Sequence, residues 1–109
     1  MSPKLTEVHA VRIICDVVLK DDLLAQLKKL GATGWTWWLA HGKGDHPTEP
    51  GLFFDLQRMY VEVWCSADVA EKIMAYCNSS HFAGIGMSVG VSPLFVSAEQ
   101  AAALHKIKD

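Results

Sequence analysis

The sequence predicts an α+β domain with a four-stranded antiparallel sheet, and three observations carry that expectation. Two segments of helical apolar spacing alternate with four segments rich in β-branched and aromatic residues, in the order β-α-β, then β-α-β. The two halves are joined by a long stretch of loop composition. The chain has 109 residues, 50% hydrophobic and 20% charged, which suits one domain with a sizeable core and excludes a disordered one.

Taken in order, Val8–Cys15 is the first strand, apolar and β-branched at Val11, Ile13 and Ile14. Asp16–Asp21 connects it to a helix opening at Asp21 or Asp22, whose carboxylates cap and complement a helix N-terminus. Leu23, Leu24, Leu27 and Leu30 recur at helical spacing, Lys28 and Lys29 suit the C-terminal end of the dipole, and Gly31 closes the helix. Thr33-Gly34 opens a second strand through Trp35–Ala40, whose β-branched and aromatic content argues against another helix. His41–Asp55, with Gly42, Gly44, Pro47, Pro50 and Gly51, is the longest irregular stretch. Loops of that length are uncommon in a small domain unless they carry function.

Leu56–Cys65 alternates as a third strand, with Met59, Val61 and Val63 on one face and Tyr60, Glu62 and Trp64 on the other. Ser66 caps a second helix with Val69, Ile73, Met74 and Cys77 along one side, ended by Asn78-Ser79-Ser80. His81–Gly86 forms a second loop. Met87–Val96 is a fourth strand in which Gly90 and Pro93 call for a bulge or an edge position. Ser97 caps a short C-terminal helix from Ala98 to about Ile107.

This order makes a ferredoxin-like βαββαβ sandwich with both main helices on one sheet face. No helix is left for the other face, so the aromatic side chains directed there meet a partner chain or stay exposed. Four Trp, four Phe and four Met in so small a chain already favour self-association.

Ten Lys+Arg against twelve Asp+Glu leave no basic field for a nucleic acid or an anionic membrane. No apolar run approaches the ~18–20 residues that span a bilayer, and Met1–His9 has no apolar signal core, so a cytoplasmic location is expected. Cys15, Cys65 and Cys77 are odd in number and sit in apolar segments, as reduced, buried thiols do.

Gly42-Lys43-Gly44 follows a strand but opens no helix, so neither a dinucleotide fingerprint nor a phosphate loop is present. A glycine pair at a strand end is more often a turn device than a ligand site, although Lys43 can supply charge to a phosphate. His41, His46 and His81 lack the spacing of a metal site, and no cysteine has a setting that lowers a thiol pKa. Trp35, Trp37 and Trp38 suit subunit packing better than base stacking in a chain of net charge -2. No catalytic constellation stands out, which argues against an enzyme. The readings left beside the main one are a metal-binding trimer and a small ferredoxin-like enzyme.

Leu30-Gly31-Ala32-Thr33-Gly34-Trp35-Thr36, followed by His41-Gly42-Lys43-Gly44, resembles the PII signal-transduction proteins. The third strand, Arg58–Trp64, and the helix start Ser66-Ala67-Asp68 resemble the same family, and the likeness spans roughly Val8–Val96. The loop lacks the tyrosine found in typical nitrogen-sensing members. Phe82-Ala83-Gly84-Ile85-Gly86-Met87-Ser88 stands where they carry a Gly-Asp-Gly-Lys run, and the tail has no arginine. The sequence is closest to the carboxysome-associated and bicarbonate-transport-associated PII-like branch.

The resemblance implies a single domain over residues 1–109, with a T-loop at about 43–55 and a B-loop at about 79–86. It implies a non-enzymatic homotrimer that binds adenine nucleotide in clefts between subunits. By position, Thr36 contacts the adenine and Trp64 is an apolar neighbour of the base. Gly42, Lys43 and Gly44 approach the ribose-phosphate, and Gly84 and Gly86 stand for the B-loop. Arg58 and His46 occupy the anion and effector positions. With Lys43 and Arg58 as the cations at hand, AMP or ADP is favoured over ATP, and bicarbonate can fill the space of a further phosphate. The partner read by the T-loop is then a membrane transporter or a carboxysome-related protein, and no bound metal is expected.

Overall fold

The computed structural model describes residues 4–42, 57–82 and 86–104. Its first strand, β1 (Leu5–Asp16), starts earlier than the apolar pattern suggests. Leu5, Thr6 and Glu7 pair with Ser97, Val96 and Phe95, so a long partner strand extends it beyond its own hydrophobic signal. Asp16 then caps a 3₁₀ turn at Val17–Leu19, accepting from the Val18 N–H at 2.9 Å.

That turn feeds directly into α1 (Lys20–Lys29), which therefore begins before the expected Asp21 or Asp22. Both aspartates lie inside its first turn, where they complement the dipole without capping, and no side chain caps the helix. Gly31 closes it at φ +112°. A Cβ there would also approach Val69 Cγ2 to 3.0 Å, so backbone geometry and space both demand glycine.

The sheet continues with β2 (Thr36–Ala40) and β3 (Arg58–Cys65). Ser66 caps α2 (Ala67–Cys77), its Oγ accepting from the Val69 N–H at 3.3 Å. The expected loop after α2 starts with a 3₁₀ turn at Ser80–Phe82, pinned by Phe82 packed edge-on against Tyr76 at 5.1 Å. The last elements are β4 (Ser88–Ser97) and α3 (Ala98–Leu104), with Ser97 Oγ accepting from the Gln100 N–H at 3.1 Å. Residues 105–107 of the expected tail helix lie outside the described residues.

The sheet order is β2-β3-β1-β4, antiparallel throughout, which is the ferredoxin-like arrangement. Of the two devices open to Gly90 and Pro93, the edge position holds. β4 is an edge strand, and its register with β1 runs unbroken from Leu5↔Ser97 to Ile14↔Ser88, without a bulge.

Val11, Ile13 and Cys15 of β1, Met59, Val61, Val63 and Cys65 of β3, Leu23 and Leu27 of α1, and Ala70, Ile73 and Cys77 of α2 form the main core between sheet and helices. The opposite sheet face is not bare, contrary to expectation. Val8 and Ala10 alternate away from that core yet are buried, and α3 packs on β1 and β4 with Ala101 buried. The tail helix covers one end of the open face, because the Ala98 N–H bonds to the Lys4 carbonyl at 3.0 Å and turns the chain back across it.

Candidate functional site

Between the β2 edge and α3 lies a groove of about 340 Å³ lined by Gly34, Trp35, Thr36, Trp38, Glu62, Trp64 and Leu104. Strand alternation builds most of it. Thr36 sits opposite Glu62 and Trp38 opposite Tyr60, so Thr36, Trp38, Tyr60, Glu62 and Trp64 all project from the open face. Trp38 stacks on Tyr60 with ring centroids 4.4 Å apart and planes 20° from parallel.

Trp64 Nε1 donates to Glu62 Oε2 at 2.8 Å. Glu62 Oε1 accepts from Arg12 Nε at 3.2 Å, and Arg12 Nη1 donates to Ser92 Oγ at 3.0 Å. The groove thus presents flat aromatic surface with a fixed carboxylate at its floor. Such a site suits a planar heterocycle with an apolar face and polar edges.

The tryptophans do not act as one group. Trp37 points to the helix face, where Lys20 Nζ sits 4.4 Å from the ring centroid. Trp35 packs against the main core while also bordering the groove. Trp35 and Trp38, expected to pack against another subunit, line the groove, and neither Glu62 nor Leu104 was expected there. For Glu62 a signal existed, since it alternates in phase with Trp64; for Leu104 nothing in the sequence told where the tail helix folds.

At the opposite end of the same face lie the anion candidates. Arg58 opens β3 beside Ala40 and Asp16, and its Nη1 donates to the Gly86 carbonyl at 3.2 Å. Gly86 has φ +60°, and a Cβ on it would stand 3.5 Å from that guanidinium nitrogen. Gly42 follows the end of β2, two residues after Ala40, which pairs with Arg58. Arg58 and Glu62 are four residues apart on β3, roughly 13 Å along the strand. Base-sized groove and cation are therefore separated by a span an extended nucleotide can bridge.

Thr36 and Trp64 thus meet at the groove, and Gly42, Arg58 and Gly86 gather at the other end. Lys43, Gly44, His46 and Gly84 lie outside the described residues, as do the T-loop expected at 43–55 and residues 83–85 of the B-loop.

All three cysteines are free and buried, and burial raises the Cys15 and Cys65 thiols to about 11 and the Cys77 thiol to about 12. Thiols so far from ionisation are poor nucleophiles and metal ligands at neutral pH. Among the described residues, no three His, Cys, Asp or Glu side chains converge to hold a metal ion, and no helix is long and apolar enough to cross a membrane.

Comparison with known proteins gives a consistent family and fold. The family model described as nitrogen regulatory protein P-II matches residues 8–100. No curated protein matches the chain. Among solved structures, a PII-like signalling protein from Thermus thermophilus superposes with a TM-score of 0.72 at 24% identity, covering 89% of this chain and 96% of that one. CPII from Thiomonas intermedia, bound to ADP, AMP and bicarbonate, superposes at 0.72 with 18% identity over 86% and 97% of the two chains. The B. subtilis GlnK–ATP complex reaches 0.58 at 17% identity over 81% and 82%.

Proposed function

The chain belongs to the P-II family of nitrogen regulatory proteins, whose members are regulators and not enzymes, and from that premise we propose that it is a sensor of the PII-like branch that binds adenine nucleotide, AMP or ADP in preference to ATP. The observation that carries this reading is the pairing, on one sheet face, of the aromatic groove at Thr36 and Trp64 with Arg58 about one nucleotide length away.

In the assigned roles, Thr36 and Trp64 hold the base, and Gly42, Lys43 and Gly44 approach the ribose and phosphates through their backbone. Gly84 and Gly86 flank the phosphates from the B-loop. Arg58 and His46 take the terminal anion. The planar fork of Arg58 matches a carboxylate-like anion, which makes bicarbonate the second ligand at that end. The CPII structures with ADP and bicarbonate support this assignment. With two arginines in the whole chain, the site is better matched to one or two phosphates than to three.

The assembly proposed is a cytoplasmic homotrimer of single-domain chains, residues 1–109, with the nucleotide clefts between subunits. Ligand state sets the conformation of the T-loop, about 43–55, and the loop presents inorganic-carbon or energy status to a membrane transporter or a carboxysome-related protein. Calorimetry with AMP, ADP and ATP, each with and without bicarbonate, tests the reading. Tightest binding of AMP or ADP, strengthened by bicarbonate, is expected; tightest binding of ATP with no bicarbonate effect would overturn the preference.

A further inference from the structure

We propose that Arg12 is a positioning residue for the groove: through Glu62 it fixes the indole of Trp64 in the orientation that receives a base. The proposal rests on the reading of the groove as the base site and adds to it a residue on a different strand with no wall in the groove itself.

The geometry is a line of hydrogen bonds across the sheet. Arg12 of β1 lies directly opposite Glu62 of β3 and directly opposite Gly90 of β4. Glycine at 90 puts no side chain beside Arg12 on the open face, and the guanidinium reaches across to Ser92 Oγ, one side-chain step along β4. Its Nε donates to Glu62 Oε1, and the other carboxylate oxygen accepts from Trp64 Nε1, one step along β3. The line Ser92–Arg12–Glu62–Trp64 therefore crosses β4, β1 and β3 and ends at the groove beside Thr36 of β2.

Each link constrains the next. A guanidinium held at two points, Glu62 and Ser92, cannot swing freely, and its charge keeps the carboxylate turned towards it. With one oxygen fixed by Arg12, the Glu62 carboxylate can turn only about that bond. The second oxygen is then aimed at the indole N–H, a donor with a single direction. The Arg12 side chain is 43% exposed and that of Glu62 23%, so the pair adds little to stability; its consequence is orientation. Without Arg12, the half-buried carboxylate has no cation beside it and rotates towards water, releasing Trp64 from its anchor.

The sequence offered this only in part. Arg12 is one of two arginines in the chain, and its position inside an apolar strand is otherwise unexplained. Gly90, which suggested a bulge, instead stands in unbroken register opposite it.

The test is a set of variants, Arg12→Met, Arg12→Lys and Ser92→Ala, read in two ways. The first reading is the Trp64 indole N–H resonance of the ligand-free protein by NMR, assigned by its loss in Trp64→Phe. Arg12→Met is expected to shift that resonance and speed its exchange with solvent. Arg12→Lys keeps the charge beside Glu62 and is expected to restore most of the signal, as a purely steric role would not. The second reading is ADP affinity by calorimetry, expected to fall about three- to tenfold in Arg12→Met, to recover to within about twofold in Arg12→Lys, and to fall about twofold or less in Ser92→Ala.

An indole resonance unmoved in Arg12→Met overturns the proposal, as does a shifted resonance with unchanged ADP affinity. Should Arg12→Met fail to fold, the resonance in Ser92→Ala decides: a shift with faster solvent exchange supports the relay, and an unmoved resonance overturns it. If the unmodified protein binds no adenine nucleotide, the function proposed above fails, and the indole readings alone decide whether Arg12 positions Trp64.

Discussion

At the scale of single residues, the two arginines divide the open sheet face between them. Arg12 tends the aromatic end through Glu62, and Arg58 holds the other end through the Gly86 carbonyl. Arg58→Gln keeps some hydrogen bonding but removes the charge, so ADP affinity is expected to fall about tenfold by calorimetry while adenosine, which has no phosphate, binds unchanged. The cysteines make a different statement. Each thiol ionises less readily in the folded chain than at its ordinary value of 9.0, because burial disfavours the thiolate. The unfolded chain therefore loses these protons first. The resulting stability is fully present below about pH 9 and is lost as pH rises through about 11 to 12. Denaturant midpoints measured from pH 7 to 11 should fall above pH 9, and a Cys65→Ala variant should show a shallower fall. What the sequence conveyed at this scale was residue type and phase. Alternation placed Trp64 and Glu62 on one face, but only the family resemblance brought Trp64 and Thr36 to one site, and the Trp64–Glu62–Arg12 line depends on which residues face each other across strands far apart in the chain.

At the scale of elements, the strands and helices were largely legible because their apolar spacing is strong. Leu23 and Leu27 on α1, and Ile73 and Cys77 on α2, are buried as the helical pattern requires. The boundaries that moved did so under tertiary influence. β1 is lengthened by the partner strand β4, and α1 is started early by the 3₁₀ turn that Asp16 caps. Pro93 was legible as an edge residue, while the sheet order that makes β4 an edge was reached only through the fold plan. The turn after α1 allows a sharp test. Gly31→Ala forces a side chain into φ +112° and against Val69, so thermal or urea unfolding should show a loss of about 1–3 kcal/mol. Ser66→Ala, which removes only the cap of α2, should cost about 1 kcal/mol in the same measurement.

At the scale of the whole molecule, the open face is the surface on which the proposed trimer depends. α3 shields Val8 and Ala10, but Ile14, Trp38 and Trp64 remain 38–43% exposed on the same face. That apolar remainder supports the proposed trimer, in which three such faces meet. Mass measurement in solution should give three chains. Ile14→Asp, which places a charge in the middle of the face, should shift the population towards monomer while leaving the far-ultraviolet circular dichroism unchanged. The near-neutral net charge is consistent with an assembly held by apolar surface.

The return of the tail helix has a practical corollary for handling the protein. Ala98 is tied to Lys4 and Leu104 borders the groove, so the two ends of α3 stand about 10 Å apart, one at the start of the described chain and one at the proposed base groove. A purification tag at the C-terminus joins the chain a few residues after Leu104, which lines the groove. A tag at the N-terminus joins the chain ahead of Lys4, which is bonded to the other end of α3, and is the better choice for nucleotide titrations.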